Sequence, residues 1–302
     1  MKFFVCPPTG PGFPRRLAMA RLAVLAWCAG GGPARALGEA VPRAVSVGAG
    51  VTEIVYALGA QNQLLAVDTS SLHPAEARAL PKVGYQRTLS AEGVLSLRPQ
   101  VLLAGLDAGP PAVLAQLASA GVRVVPVGGD YSLEGVQARV QAVARALGCE
   151  PRARTLAADI DRQWRAVQAR IASRPLRGAG GRPLKVAFLM RHGTTAMAAG
   201  RGTSADALLR MAGVANAFGD AFEGFRPLSP EALVQAAPEA VAATRDGPPQ
   251  PQDRDAVLAT PGLLLTPAGR QGRVAVLDIV LLLGFGPRLP QAVEALHEAL
   301  QA

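Results

Sequence analysis

The sequence is poor in aromatic residues, cysteine and histidine. Phe, Trp and Tyr make up 4% of the 302 residues, and there are three cysteines and three histidines. Three cysteines do not make the disulfide framework of a small secreted domain. Three histidines leave little scope for a metal site built from several histidine ligands. An aromatic residue in a polar loop is unusual in this chain and therefore marks a candidate site.

Basic clusters and long apolar runs are also missing. Five of the 31 basic residues lie within residues 1–36, which contain no acidic residue, and the others are scattered. No basic run is interleaved with aromatic residues, which argues against a nucleic-acid partner. After residue 36 no segment has about 18 uninterrupted apolar residues, so no membrane-spanning helix is predicted there. Half of the chain is hydrophobic, which is enough for a sizeable core.

Residues 1–36 have the order of an export signal. Arg15-Arg16 precede the stretch Leu17–Ala29, which is apolar apart from Arg21, and small residues follow up to the cleavage pattern Ala34-Arg35-Ala36. The apolar stretch is short for a bilayer span. We therefore expect residues 1–36 to be a secretory signal peptide, whose removal leaves Cys149 as the lone cysteine of the exported chain.

From Val41 onward the chain alternates short apolar strands with helices. Strands are predicted at Ala44–Val47, Leu64–Val67, Val101–Ala104 and Val122–Val127. This alternation is typical of an α/β fold with parallel strand pairing.

A change of pattern divides the chain in two. Leu133 to about Ser173 has a nearly continuous helical pattern, interrupted around Gly148–Pro151. A second α/β run begins with a strand at Lys185–Met190 and ends with a helix at Pro290–Ala299. We predict an N-terminal lobe (41–145), a linking helix (146–176) and a C-terminal lobe (183–302). Two such lobes face each other across a cleft, which is the usual place for a ligand.

The two lobes share sequence patterns in the same order, which favours an internal duplication. Leu89–Leu95, followed by Pro99, matches Leu228–Val234, followed by Pro238. Each copy is typical of a helix start, with a capping serine and an acidic residue in the first turn. A looser match relates Gly50–Gly59 to Gly202–Gly213.

The loop before each duplicated helix contains an aromatic residue and a nearby arginine. Tyr85 and Arg87 lie in the first loop, and Phe225 and Arg226 lie in the second. Such pairs suit a flat, anionic ligand, because the ring stacks or ligates while the arginine binds carboxylate. The alternative is a packed aromatic residue beside a solvated arginine.

Tyr85 offers a metal ligand that Phe225 does not. A phenolate is a hard oxygen donor that holds ferric haem, as in catalase. A free tyrosine has a pKa of about 10, so ligation needs the metal and a nearby cation to favour the anion. Arg87 and Arg226 are the available cations.

Three motifs together resemble the periplasmic haemin-binding proteins of bacterial ABC importers. They are Gly84–Arg87 followed by Leu89–Pro99, Ala198–Thr203 and Leu283–Arg288. The resemblance runs from about Val41 to the C-terminus, although vitamin B12 and siderophore binders share the scaffold. It implies an exported, periplasmic carrier of haem rather than an enzyme. It also implies two Rossmann-like lobes bridged by a helix, with Tyr85 as the axial ligand of the haem iron.

The resemblance implies two further roles. Glu92 and Glu231, the duplicated acidic residues, match positions that dock onto arginines of a membrane permease dimer. Helix-dipole stabilisation is the alternative for both. Some members of the family use a histidine of the second lobe as a second haem ligand, and His192, after the strand Lys185–Met190, is the candidate. A solvated or core histidine is the alternative for His192.

Two other function classes stay open as alternatives. The same cleft suits a corrinoid or a ferric siderophore, although neither needs a tyrosine supported by arginine. A periplasmic enzyme is the other class, and the missing catalytic motifs argue against it. Gly48-x-Gly50 begins like a dinucleotide-binding loop, but Glu53 stands where the third glycine belongs.

Overall fold

A computed structural model describes residues 42–192 and 195–301 of the chain. These residues form two β-sheets with helices packed on their faces, within one unit that spans Val41–Ala302. The predicted α/β class is confirmed. The predicted signal peptide, residues 1–36, lies outside the described residues.

The first sheet consists of four short parallel strands in the order β2-β1-β3-β4. Because all four strands run the same way, their carboxyl ends lie at one edge, which we name the carboxyl edge of the first sheet. The central strand β1 is buried along its whole length, which explains its purely apolar and small residues. The elements are β1 (Ala44–Val47), α1 (Ala49–Ala57), β2 (Leu64–Val67), α2 (Ala91–Leu95), β3 (Val101–Gly105), α3 (Pro111–Ser119) and β4 (Arg123–Val127).

Two consecutive helices connect the sheets, and the predicted interruption lies between them. Helix α4 spans Leu133–Leu147 and helix α5 spans Glu150–Ser173. The 24 residues of α5 make a rod about 36 Å long. Ala153, Ile160 and Val167 are its buried residues, and their spacing of seven places them on one apolar face.

The second sheet is mixed, unlike the first. Its order is β10-β9-β5-β6-β8, with β7 also paired to β5, and β6 runs antiparallel to both of its neighbours. The carboxyl ends of β5, β9 and β10 lie at one edge, because these strands are mutually parallel. The elements are β5 (Lys185–His192), β6 (Thr195–Ala199), α6 (Ser204–Met211), β7 (Ala215–Asn216), β8 (Phe225–Pro227), α7 (Pro230–Ala236), β9 (Ala240–Arg245), α8 (Asp253–Leu258), α9 (Pro267–Gln271), β10 (Val274–Asp278), α10 (Ile279–Leu283) and α11 (Leu289–Gln301).

The lobes meet where α1 of the first lobe packs against the segment Leu283–Arg288 of the second. A Cβ atom on Gly50 would collide with the carbonyl oxygen of Gly284, so only glycine allows this close approach of two backbones. Both segments follow the carboxyl ends of their strands, β1 and β10. The carboxyl edges of the two sheets are therefore brought together, and the cleft lies between them.

Two polar contacts fasten this junction. Arg288 donates from Nε and Nη2 to the two carboxylate oxygens of Glu53 at 2.9 and 2.6 Å, and the Glu53 side chain is buried. Arg139 of α4 donates to the carbonyl oxygen of Phe285 at 2.8 Å. Glu53, which breaks the dinucleotide-loop pattern, thus serves a contact between the lobes.

Candidate functional site

Tyr85 lies in a loop at the carboxyl edge of the first sheet. The chain before it continues the sheet beside β2, because the Val83 amide donates to the carbonyl of Val67 at 3.1 Å. Gly84 then takes a φ of +98°, and its carbonyl accepts from the Thr69 amide at 2.9 Å. The side chain of Tyr85 is 41% exposed although the backbone before it is held in place.

The far side of this loop is held by the connection between β3 and α3. The Gly109 amide donates to the carbonyl of Gln86 at 2.8 Å, and the Leu89 amide donates to the carbonyl of Gly109 at 2.9 Å. Between these contacts the Thr88 amide closes a turn onto the carbonyl of Tyr85 at 2.9 Å. The loop Val83–Leu89, which we name the Tyr85 loop, is therefore fixed on both sides and presents its phenol on a defined backbone.

Arg87 does not lie free beside Tyr85. Its Nη2 atom is 3.1 Å from Oδ2 of Asp107, in the connection after β3, and both side chains are largely exposed. Burial by itself lowers the pKa of Arg87. The pKa is nevertheless raised overall, because the hydrogen bond and the charge of Asp107 favour the charged guanidinium, and the phenols of Tyr85 and Tyr131 add to this effect. Asp107 is a site residue that sequence reasoning missed, since nothing local relates it to Arg87.

Apolar surface accompanies these polar groups. Among the residues that the structure describes, the exposed large hydrophobic side chains are Tyr85, Leu106 (52% exposed), Val234, Leu264 and Leu265. Tyr85 and Leu106 both lie at the carboxyl edge of the first sheet. Apolar side chains that folding leaves exposed mark a surface for an apolar ligand or partner.

The second sheet supplies an apolar helix at its own carboxyl edge. Asp278 ends β10 and caps α10, because its Oδ1 atom accepts from the Leu281 amide at 2.9 Å. Of the five aliphatic residues of α10, Ile279–Leu283, only Leu282 is fully buried. This helix was not predicted to be part of the site. The signal available was an aliphatic run directly after a strand that ends in an acidic residue.

Phe225 and Arg226 lie on strand β8, where a loop was predicted. Strand pairing places Phe225 opposite Ala199 and Arg226 opposite Ala198 of β6. Successive residues of a strand point to opposite faces. Phe225 is half-buried against the core cluster, whereas Arg226 is exposed, with its Cζ atom 5.5 Å from the ring centroid of Phe222.

The predicted site residues of the two lobes are not joined by direct contacts. Within the described part of the chain, no hydrogen bond or ion pair links Tyr85 to Arg87 or to Arg226. The Tyr85 loop and strand β8 belong to different sheets. A ligand in the cleft is therefore what would connect them.

The histidines occupy different environments. Strand β5 continues through His192, two residues beyond its predicted end, and the side chain of His192 lies outside the described residues. His297 is buried, with its ring nitrogens 2.9 and 3.0 Å from the carbonyl oxygens of Ala212 and Arg174. His73 is half-buried, and burial followed by the charge of Arg288 lowers its pKa.

Glu92 and Glu231 begin equivalent helices on the surface of the two lobes. Ser90 caps α2 by accepting from the Gly93 amide at 3.2 Å, and Ser229 caps α7 by accepting from the Ala232 amide at 3.1 Å. Both glutamates are exposed in the first turn. The duplicated sequence pattern thus forms duplicated caps.

No cluster of three or more His, Cys, Asp or Glu side chains able to hold a metal ion occurs among residues 42–192 and 195–301. Cys149 is a free, buried thiol, and burial raises its pKa. In the same residues no helix combines the length and apolar character needed to cross a membrane.

Two α/β lobes joined by a long helix, with a cleft between them, define a substrate-binding protein. The sequence model of the family described as "Periplasmic binding protein" matches residues 45–280. The chain belongs to this family.

Three proteins illustrate the similarity. The periplasmic heme-binding protein BhuT, solved in complex with two hemes, is 43% identical, with a TM-score of 0.78, over 86% of this chain and 97% of its own. The periplasmic heme-binding protein RhuT from Roseiflexus sp. RS-1 is 38% identical, with the same TM-score and coverage. The vitamin B12-binding protein of Pectobacterium atrosepticum is 27% identical over 67% of this chain and 71% of its own.

Proposed function

We propose that this protein binds ferric haem in the cleft between its lobes and delivers it to an ABC permease. Tyr85 is the axial ligand in this proposal, because phenolate is a hard oxygen donor for ferric haem iron. The observation that carries the proposal is the 41% exposed phenol on a loop that is held on both sides. The hydrogen bonds that hold this loop do not involve the phenol of Tyr85, whereas capture of an iron porphyrin needs an exposed oxygen donor.

The surroundings of Tyr85 suit the rest of a haem molecule. Leu106 and helix α10 provide apolar surface at the facing edges of the two sheets. Arg87 provides a cation for the carboxylates at one side of the porphyrin. A flat molecule that is apolar over most of its area and anionic at one edge matches this distribution.

The comparisons favour haem over other ligands of the scaffold. BhuT and RhuT are heme-binding proteins and are 43% and 38% identical over nearly their whole lengths. The vitamin B12-binding relative is 27% identical. A corrinoid is therefore the second candidate, and the exposed Tyr85 beside arginine distinguishes the two, since a corrinoid needs no phenolate.

The second lobe contributes supporting contacts in this proposal. Arg226 stabilises the phenolate or a haem carboxylate across the cleft, while Phe225, on the opposite face of β8, holds the strand against the core. His192, at the end of β5, is a candidate second ligand of the iron. Arg226 comes from the opposing lobe and reaches the phenolate only across the cleft.

Delivery is proposed to use Glu92 and Glu231, one exposed acidic residue on each lobe. Near Glu231, the turn Leu263–Leu265 packs close to α7, because Gly262 lies against Pro230. Leu264 and Leu265 are 61% and 66% exposed there. An acidic residue beside exposed aliphatic side chains suits a permease surface that offers arginine within an apolar rim.

Export and lobe division complete the proposal. Residues 1–36 direct the chain to the periplasm, and residues 41–145 and 183–302 form lobes joined through 146–176. Haem is cargo rather than a resident cofactor, so the protein breaks no bond.

Absorption spectroscopy of the protein lacking residues 1–36 tests the proposed ligand. Haemin, cyanocobalamin and a ferric siderophore are titrated separately into the purified protein. We expect haemin alone to bind tightly, with the visible bands of a high-spin ferric tyrosinate complex. Tight binding of cyanocobalamin with no haemin spectrum would replace haem by the corrinoid.

A further inference from the structure

Tyr131 is a third aromatic residue at the carboxyl edge of the first sheet. It follows β4 in the short connection before α4, and neither strand periodicity nor a helix cap marks it in the sequence. The residues that follow β3 at the same edge include Leu106 and Asp107, and the Tyr85 loop lies beside them. Three connections of one sheet therefore converge on one place.

The ring of Tyr131 is held by its neighbours. It meets the ring of Phe285 edge-on, with centroids 5.0 Å apart and an interplanar angle of 63°. The Cζ atom of Arg139 lies 6.0 Å from the centroid of the same ring. Arg139 is itself buried and donates to the carbonyl oxygens of Gly129 and Asp130 at 2.9 Å. The ring thus has one defined position, which reduces the entropy that a contact through its hydroxyl would cost.

The hydroxyl of Tyr131 has no such partner. No hydrogen bond to the Tyr131 hydroxyl occurs among the described residues. The hydroxyl oxygen is also not one of their buried polar atoms that lack a partner, so it remains accessible to solvent. Burial of the ring and then the charge of Asp107 raise the pKa of Tyr131, while Arg139 and Arg87 oppose the shift. The group therefore keeps its proton at neutral pH and is an available donor beside the Arg87–Asp107 pair.

We propose that Tyr131 is a ligand-contacting residue, whose hydroxyl donates a hydrogen bond to a carboxylate of the bound haem. The inference rests on the proposed function and adds the residue that orients the porphyrin. Arg87 and Tyr131 together form a carboxylate-binding pair on the first lobe. A fixed phenol and a paired arginine at one edge also favour one orientation of the haem over its flipped alternative.

Tyr131→Phe tests this contact, because it removes the donor and keeps the ring against Phe285 and Arg139. Haemin is titrated into the parent, Tyr131→Phe and the matched control Tyr56→Phe, whose tyrosine lies in α1. We expect Tyr131→Phe to raise the dissociation constant about tenfold, the effect of one hydrogen bond to a charged group. The ferric tyrosinate spectrum stays unchanged, and Tyr56→Phe binds like the parent.

A haemin whose two carboxylates are esterified provides the second arm. Parent and Tyr131→Phe should bind this diester almost equally, because the charged acceptor is gone. An unchanged affinity for haemin in Tyr131→Phe, or an equal loss for haemin and its diester, overturns the contact while the proposed function stands. A parent protein that binds neither compound overturns the proposed function and this inference together.

Discussion

The guanidinium of Arg87 and the carboxylate of Asp107 form an ion pair across 3.1 Å, between the Tyr85 loop and the connection after β3. A cation proposed to bind haem carboxylates is thus already neutralised by a carboxylate of the protein. A bound haem must share Arg87 with Asp107 or displace it. The pair therefore holds the loop in place and at the same time limits affinity for an anionic ligand.

Asp107→Asn should strengthen haem binding. The substitution keeps the size of the side chain, removes a negative charge beside the proposed carboxylate site and frees Arg87. Because the pair is exposed, we expect the dissociation constant to fall only about two- to fivefold. This change corresponds to about 0.4–1 kcal/mol of binding free energy. Haemin titrations at low and high salt measure it, and the gain should shrink as salt screens the charges.

Asp159→Asn is the matched control for this substitution. Asp159 pairs with Arg162 at 2.7 Å on the exposed face of α5, away from the carboxyl edges. The control substitution Asp159→Asn removes the same negative charge from the protein but leaves the Arg87–Asp107 pair intact. Equal gains in both variants would show that net charge, and not the Arg87 pair, sets the affinity.

Tyr85→Phe should abolish ligation while keeping the ring. We expect the high-spin ferric tyrosinate spectrum to disappear and haem retention on a desalting column to fall sharply, because the oxygen donor is lost. Tyr56→Phe controls for the removal of a hydroxyl elsewhere. An unchanged charge-transfer band in Tyr85→Phe contradicts the assignment of the axial ligand.

The two arginines should differ in pH dependence. If Arg226 supports the phenolate, its removal disfavours the anionic ligand in the complex, so the pH midpoint of ligation moves up. A charge-assisted hydrogen bond of about 1.5–3 kcal/mol corresponds to about one to two pH units. Arg87→Ala should weaken binding with little shift of the midpoint, because Arg87 contacts a haem carboxylate.

Absorption titrations between mildly acidic and alkaline pH measure both arginine variants against the parent. Both should lose less affinity than Tyr85→Phe, since the iron–oxygen bond survives. Identical pH profiles for the parent and both variants rule out this division of roles.

The double variant Glu92→Ala, Glu231→Ala should bind haem normally and transport it poorly. Both acidic residues are exposed in the first turn of their helices, and neither is part of the Tyr85 loop. Haem uptake into vesicles that contain the permease measures delivery, and a haemin titration is the control. Normal uptake by the double variant leaves the two glutamates as helix-dipole partners only.

Glu53→Gln should destabilise the protein, because it leaves Arg288 without its buried counter-charge. Removal of one partner of a buried ion pair costs about 3 kcal/mol. Urea unfolding of the haem-free protein measures the loss. Glu294→Gln is the control, since Glu294 pairs with Arg170 between α11 and α5 in a more exposed setting, where we expect less than about 1 kcal/mol. Equal losses of unfolding free energy in both variants would mean that the Glu53–Arg288 pair stabilises the protein no more than an exposed ion pair does.

Elements with a strong local signal were predictable. Strands Ala44–Val47 and Leu64–Val67 have the predicted bounds, because a short aliphatic run between turn residues favours a buried strand in any context. The predicted serine caps of α2 and α7 are confirmed, since a cap is a contact within four residues. Tyr85 stood out for a similar reason, as a rare aromatic residue in a polar loop.

Features that depend on distant partners were not predictable. Strand β8 was predicted as a loop, because three residues that end in proline have no strand periodicity, and only pairing with β6 makes them extended. Asp107 is 20 residues from Arg87 and was missed. Tyr131 and α10 were missed because their place at the site follows from the strand order.

The sequence alone therefore determined the α/β class, the division by a long helical segment and the capped starts of α2 and α7. Each of these follows from the chemistry of a few consecutive residues. Only the tertiary structure decided which side chains meet: Glu53 with Arg288 across 235 residues of chain, and Arg87 with Asp107. Such contacts form because sheet topology and close glycine packing bring the carboxyl edges of the strands together, and no local preference encodes that arrangement.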